Sequence, residues 1–148
     1  MKIYLSIMTI LFIAMQFIRP ATTNPSINRD LELKTSNEVK EILKKSCYDC
    51  HSYETKWPFY SKVAPISWLV VDHVNVGRDV LNYSTWESMD EKKKIKKLQR
   101  SLQTLRSGMM PLPSYLWLHD EAKIDDKDRE VLQSWVKDEL DKLGVSSF

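Results

Sequence analysis

What most constrains this 148-residue chain is its pair of cysteines, the only two it has: they stand three positions apart with a histidine directly behind, Cys47-Tyr48-Asp49-Cys50-His51. On one turn of helix both thiols fall on one side of the backbone, with the imidazole beside them. Few chemistries use that arrangement. A Cys47–Cys50 disulfide is open to an exported protein, but a bridge across so short a loop is strained and redox-active. A thioredoxin-type pair needs a strand–helix–strand context, which the flanking sequence lacks. Tetrahedral zinc needs four ligands, and three crowded ones with no second cluster fall short. Two thiols at this spacing can instead form thioethers with the two vinyl groups on one porphyrin edge, and the adjacent imidazole then lies below the iron. The motif reads as attachment of one covalent haem c by Cys47 and Cys50, with His51 as the proximal iron ligand.

Such an iron is completed by methionine, by histidine, or by an open position. The candidates are Met109, Met110, His73 and His119. Met110 precedes Pro111 in the segment Met109-Met110-Pro111-Leu112-Pro113, which cannot continue a helix and reads as a rigid loop. The order of helix, CxxCH, further helices, methionine loop and closing helix matches a monohaem cytochrome. Met110 is therefore the expected distal ligand and Met109 the second choice, with a histidine or an open site as alternatives. His73 and His119 are expected to be surface or hydrogen-bonded histidines. Trp57, Phe59, Tyr60 and Trp68 follow the motif closely. All four, Trp57, Phe59, Tyr60 and Trp68, are expected to wall the haem pocket, although the same residues would serve any apolar core.

At the N-terminus, Lys2 is followed by an apolar stretch from Ile3 to Ile18, closed by Arg19-Pro20. This pattern fits a secretory signal or a short membrane anchor, and both place the rest of the chain outside the cytoplasm. With no clear small-residue cleavage triplet before Ala21, an anchor in the inner membrane is expected ahead of a cleaved signal, and the localisation is expected to be periplasmic.

Beyond it, residues 21–35 show no helical period and read as a linker. Ser36 is a plausible cap for a helix over 37–46 with Val39, Ile42 and Leu43 on one face. A further helix is expected over about 66–80. Ser84-x-x-Glu87 has the pattern of a capping box, and Ile95, Leu98, Leu102 and Leu105 recur behind it up to Gly108, with Asp90 a point where two helices could divide. Asp125 caps a last helix over about 126–143, whose stripe is Val131, Leu132, Trp135, Val136, Leu140 and Leu143. No strand pattern appears. The expectation is an all-α, cytochrome c-like helical domain wrapped around the haem over residues 36–143, preceded by the signal or anchor segment 1–20 and the linker, and followed by a tail over 144–148.

Charge excludes one class of partner. The chain nets +2, and the first twenty residues contribute Lys2 and Arg19 without an acid, so the remainder is neutral. A neutral domain gives no electrostatic case for nucleic acid. With three glycines and no GxGxxG or GxxxxGK[ST], a nucleotide fold has no support either. The local run Lys92, Lys93, Lys94, Lys96, Lys97 and Arg100 could steer an acidic redox partner or meet an anionic membrane. It reads more simply as the solvated face of a helix whose other face is Ile95 and Leu98.

The segments CYDCHSYETKWPFYSKVAPISWL (47–69), GRDVLNYSTW (77–86) and MPLPSYLWLHDEAKI (110–124) resemble the single-CxxCH haem-binding domain found in many exported bacterial proteins. The resemblance covers about 36–137. It implies haem attachment at Cys47 and Cys50, axial ligation by His51, and Met110 in the family's Met-Pro pair. Met109 stands where the family usually has Glu, and Asp120 where Pro is frequent.

These readings point to electron transfer through a His/Met-ligated haem, with a redox partner protein and membrane contact through the N-terminal segment. The alternative is a haem-based ligand sensor or peroxidase-like enzyme with an open or His-ligated distal site. No general base, nucleophile or substrate cleft is legible, which favours a carrier over a catalyst.

Overall fold

The computed structural model describes residues 1–145. Of the expected tail 144–148, the last three positions lie outside the described residues. The chain is all-α, with no strand among the described residues.

Helix α1 covers Lys2–Met15, 14 residues that bury nothing against the rest of the chain. At 1.5 Å per residue it is about 21 Å long, short of the ~30 Å hydrocarbon core of a bilayer. No helix among the described residues is long and apolar enough to cross a membrane.

Three amphipathic helices build the main core. Helix α2, Asn37–Ser46, starts where Ser36 Oγ accepts the Val39 amide at 3.3 Å, and it buries Val39, Ile42 and Leu43. Helix α5, Glu91–Ser107, starts at Asp90, whose carboxylate accepts the Lys93 amide at 2.8 Å, and stops at Gly108 in the left-handed region (φ 65°). Helix α7, Asp126–Lys142, is capped by Asp125 accepting the Asp128 amide at 2.8 Å. α7 packs along α5 and against α2, and the Lys45–Asp128 ion pair ties α2 to the first turn of α7. Leu43, Leu98, Leu132, Val136 and Leu140 are almost wholly buried in the resulting core.

The Ser84-x-x-Glu87 pattern does not cap a helix. Residues Tyr83–Ser88 form a 3-10 turn, Ser84 Oγ accepts the Tyr53 amide at 2.9 Å, and Glu87 pairs with Lys94 at 2.6 Å. Asp90, one helical turn before Lys94, is the true cap.

The end of the expected linker is part of the fold. Asn28 caps a 3-10 turn over Arg29–Leu31, Glu32 and Leu33 are buried, and the Leu33 amide donates to Tyr83 O at 2.8 Å. An apolar period was never available to reveal this, because only one residue, Leu33, reaches the core.

The second packing unit is built on closeness. Helix α3, Tyr48–His51, follows α2 after a break at Cys47. Helix α4, Ile66–Val80, packs against α3 and against the 3-10 turn Phe59–Lys62. Apart from Tyr48, which joins the main core, the residues buried here are small: Ser52, Ser61, Ala64, Ser67 and Gly77, with Val71 and Val74. Helix α6, Pro113–Leu116, follows the methionine loop with Pro113 in its first turn, so the loop is shorter than the two prolines suggest.

Candidate functional site

The CxxCH residues form one helical turn hung from a single carbonyl. The Cys47 amide closes α2 by donating to Leu43 O, and Cys47 O then accepts the amides of Cys50 at 3.2 Å and His51 at 2.9 Å. Both cysteines are free and half-buried. Burial pushes the Cys47 thiol up to about 12, with the neighbouring Cys50 adding to it. Burial likewise pushes Cys50 up to about 11; Asp49 adds and Arg78 opposes. Neutral thiols at this position differ from the low-pKa thiolates of redox-active cysteines. Among the described residues no three His, Cys, Asp or Glu side chains gather into a group that could hold a metal ion.

His51 is the most firmly placed group. Its Nδ1 lies 2.9 Å from Gly77 O, in the last turn of α4, and 3.0 Å from Leu81 O, just beyond the end of that helix. Carbonyl oxygens only accept, so Nδ1 carries the proton and donates. That tautomer leaves the Nε2 lone pair for a metal, with the ring orientation set by the second nitrogen, as in protein-bound metal sites generally. Burial lowers the His51 pKa, and the two backbone hydrogen bonds only partly oppose it. The neutral form that can ligate is thereby favoured. Tyr83 meets the ring edge-on at 6.4 Å and stacks on Tyr48 at 5.5 Å.

Gly77 explains how α3 and α4 come so close. A Cβ on Gly77 would lie 2.5 Å from Cys50 O, inside any tolerable contact. The adjacent Arg78 locks the following loop: it donates to Ser52 O at 2.8 Å, Thr55 Oγ1 at 2.8 Å, Asn24 Oδ1 at 2.7 Å and Thr23 O at 3.1 Å. Its guanidinium lies 5.9 Å from the Trp57 ring, and the Trp57 Nε1 is a buried donor with no partner among the described residues. Two free thiols on one turn, an imidazole whose Nδ1 alone is engaged and an orphaned buried donor fit a bound porphyrin.

Asp49, between the cysteines, connects the motif to the rest of the site. It accepts the Lys56 amide at 2.9 Å and the Tyr115 hydroxyl at 2.7 Å. The second bond draws α6 against the CxxCH turn. Tyr115 stacks on His119 at 4.3 Å, and His119 is held through both ring nitrogens, by Tyr60 Oη at 2.6 Å and Glu121 at 3.0 Å.

The expected residues are thus placed unevenly. Cys47, Cys50 and His51 share one turn, and Tyr60 joins it through His119 and Tyr115. Met110 and Met109 lie just before α6, with Met110 39% and Met109 53% exposed, so neither sulfur is committed to the protein core. Trp68 turns its indole N–H to Ile18 O at 2.7 Å, so its polar edge meets the N-terminal segment. His119 is the hydrogen-bonded histidine expected of it, and His73 is half-buried on α4. Gly77, Arg78, Asp49 and Tyr115 carry the site without having been singled out. A glycine inside a helical pattern was the available signal for Gly77; the Leu81 contact is a backbone carbonyl and leaves no mark in sequence.

The sequence model of one family, the haem-binding domain, matches residues 10–138. The match begins inside α1, well before the 36–137 stretch on which the resemblance rests. No curated protein and no solved structure matches the chain significantly. With the greater part of its length matched and a site that fits the cofactor, the chain belongs to the haem-binding domain family and is a haem-binding domain.

Proposed function

We propose that this domain is an exported electron carrier with one haem c, joined through Cys47 and Cys50 and ligated by His51 Nε2 and the Met110 sulfur. The observation that carries the reading is the His51 ring, pinned by Gly77 O and Leu81 O within a CxxCH turn. When bound, the haem supplies a one-electron couple. The chain's own residues do the rest. α4 fixes the imidazole plane, Gly77 allows the cysteine turn to sit flush on that helix, and Tyr115 tethers the methionine loop's helix to Asp49.

Met110, partly exposed and next to a helix tethered to the motif, supports methionine as the second ligand. His119 has both ring nitrogens engaged, which weighs against it as the distal ligand. Export is supported by the apolar α1 behind Lys2, because haem c is attached outside the cytoplasm; a periplasmic domain tied to the inner membrane fits that segment, and the partner would be a redox protein.

The test is a mass and pyridine-haemochrome spectrum of protein made with a cytochrome c maturation system. One covalent haem is expected, and none would overturn the reading. In the ferric spectrum, a methionine-to-iron charge-transfer band lost in Met110→Ala is expected. A wild-type high-spin spectrum that binds CO readily would replace the carrier with the sensor or enzyme class.

A further inference from the structure

The chain between α1 and the cysteine half is bracketed to the domain by side chains. Gln16 makes a reciprocal pair with the backbone of Ala64: its Nε2 donates to Ala64 O at 3.1 Å, and its Oε1 accepts the Ala64 amide at 3.0 Å. Trp68 Nε1 donates to Ile18 O at 2.7 Å. Farther on, Asn24 accepts from Arg78 and donates to Thr55 O at 2.9 Å. A leader cut before Ala21 would take Gln16 and Ile18 away and leave the Ala64 backbone groups and the Trp68 indole without these partners. The family match, beginning at residue 10, includes the whole bracket.

The surface beside the bracket is apolar. Phe59 is 80% exposed, and Val63, Ile66 and Leu69 are exposed around the start of α4. Farther along the same helix the exposed residues are mixed, with Asp72 and Asp79 beside Asn75 and Val76, whereas the exposed cations Arg19 and Lys62 flank the bracket. α1 itself presents apolar side chains on every side.

We infer that α1 stays on the mature chain and enters a lipid bilayer, and that Phe59, Val63, Ile66 and Leu69 rest on that same bilayer. This rests on the membrane reading above and adds the orientation of the domain. An apolar helix of about 21 Å under a ~30 Å core pulls its attached domain to the headgroups. The apolar end of α4 then meets the lipid, with Arg19 and Lys62 among anionic headgroups and Asp72 and Asp79 away from them. α4 stands as a post. Gly77 and Leu81, which hold His51, lie at its far end, Gly77 about 16 Å along the helix from Ile66.

The test uses the full-length holoprotein and flotation with phosphatidylcholine–phosphatidylglycerol vesicles. The intact mass of protein from expressing cells is expected to include α1; a mass lacking it overturns the inference. Ile66→Glu/Leu69→Glu is expected to lower vesicle partitioning about tenfold, because half-exposed aliphatic area is replaced by charge. Asp79→Asn is expected to leave it unchanged. Adding Gln16→Leu, which frees the domain from α1 while keeping α1 apolar, is expected to remove most of the penalty. Undiminished binding of the Glu pair overturns the docking face and leaves the membrane reading standing. Wild-type protein that carries α1 and haem yet stays off the vesicles overturns both. If the Glu pair instead splits a dimer in solution while vesicle binding is unchanged, a second copy covers this face and the inference fails.

Discussion

The α2/α5/α7 bundle and the α3/α4 unit use opposite means to pack. The bundle buries Leu43, Leu98, Leu132, Val136 and Leu140, and its stability comes from apolar area removed from water. In the α3/α4 unit the most buried residues include Ser52, Ser61, Ser67 and Gly77. Ser52 donates to Tyr48 O at 2.7 Å and Ser61 to Pro58 O at 2.6 Å, so their hydroxyls serve the backbone. Small residues bring backbones together and so place carbonyls and imidazole accurately, but they bury little hydrocarbon. The bundle supplies stability and the other unit supplies position. A bound porphyrin would add to the second unit the apolar mass its own side chains lack.

The sharpest way to break this comparison is to prevent haem attachment. In Cys47→Ala/Cys50→Ala, amide exchange is expected to accelerate across 48–81 while the amides of α2, α5 and α7 stay protected. Uniform loss of protection would show that the bundle has no independent stability.

Leu132→Ala removes a fully buried side chain from the bundle. A loss of about 2–5 kcal/mol in denaturant unfolding is expected, with the haem spectrum of the folded protein unchanged. A spectral shift would mean that the two units are more tightly coupled than their packing implies.

Gly77→Ala reverses the pattern. The added Cβ meets Cys50 O, and an overpacking loss of about 1–3 kcal/mol is expected. Here the haem yield and the His51-dependent spectrum should change as well. A normal yield would remove Gly77 from the site.

The smallest effect belongs to Glu32, which joins the two units by accepting from the Tyr48 hydroxyl at 3.3 Å. Burial alone raises its pKa, but hydrogen bonds and charge from Arg29 and Lys40 outweigh that and leave it below the ordinary 4.5. A carboxylate depressed on folding stabilises the protein above its unfolded value, and the contribution is lost as pH falls through the folded one. The thermal midpoint is expected to drop below about pH 4.5, and Glu32→Gln should flatten that part of the profile. An unchanged profile would assign the acid sensitivity to other carboxylates.

Much of the bundle was legible because amphipathic helices announce themselves. Ser36, Asp125 and Gly108 stand at the observed helix ends, and the stripes of α2 and α7 are the observed core faces. Ser84 misled because a cap motif is local, and the Tyr53 amide, distant in sequence, claimed its hydroxyl. The 21–35 segment misled for the opposite reason: a single buried leucine and a buried, ion-paired Glu32 leave no periodic trace.

By itself, then, the sequence determined the helical class and pointed to haem as the cofactor, because two thiols and an imidazole at the CxxCH spacing have so few other uses. Only the tertiary structure decided which nitrogen of His51 is hydrogen-bonded to backbone, which glycine lets α4 approach Cys50, and which residues strap the N-terminal segment to the domain. Those depend on backbone carbonyls and on side chains tens of positions apart, and neither kind of contact has a period or a motif to read.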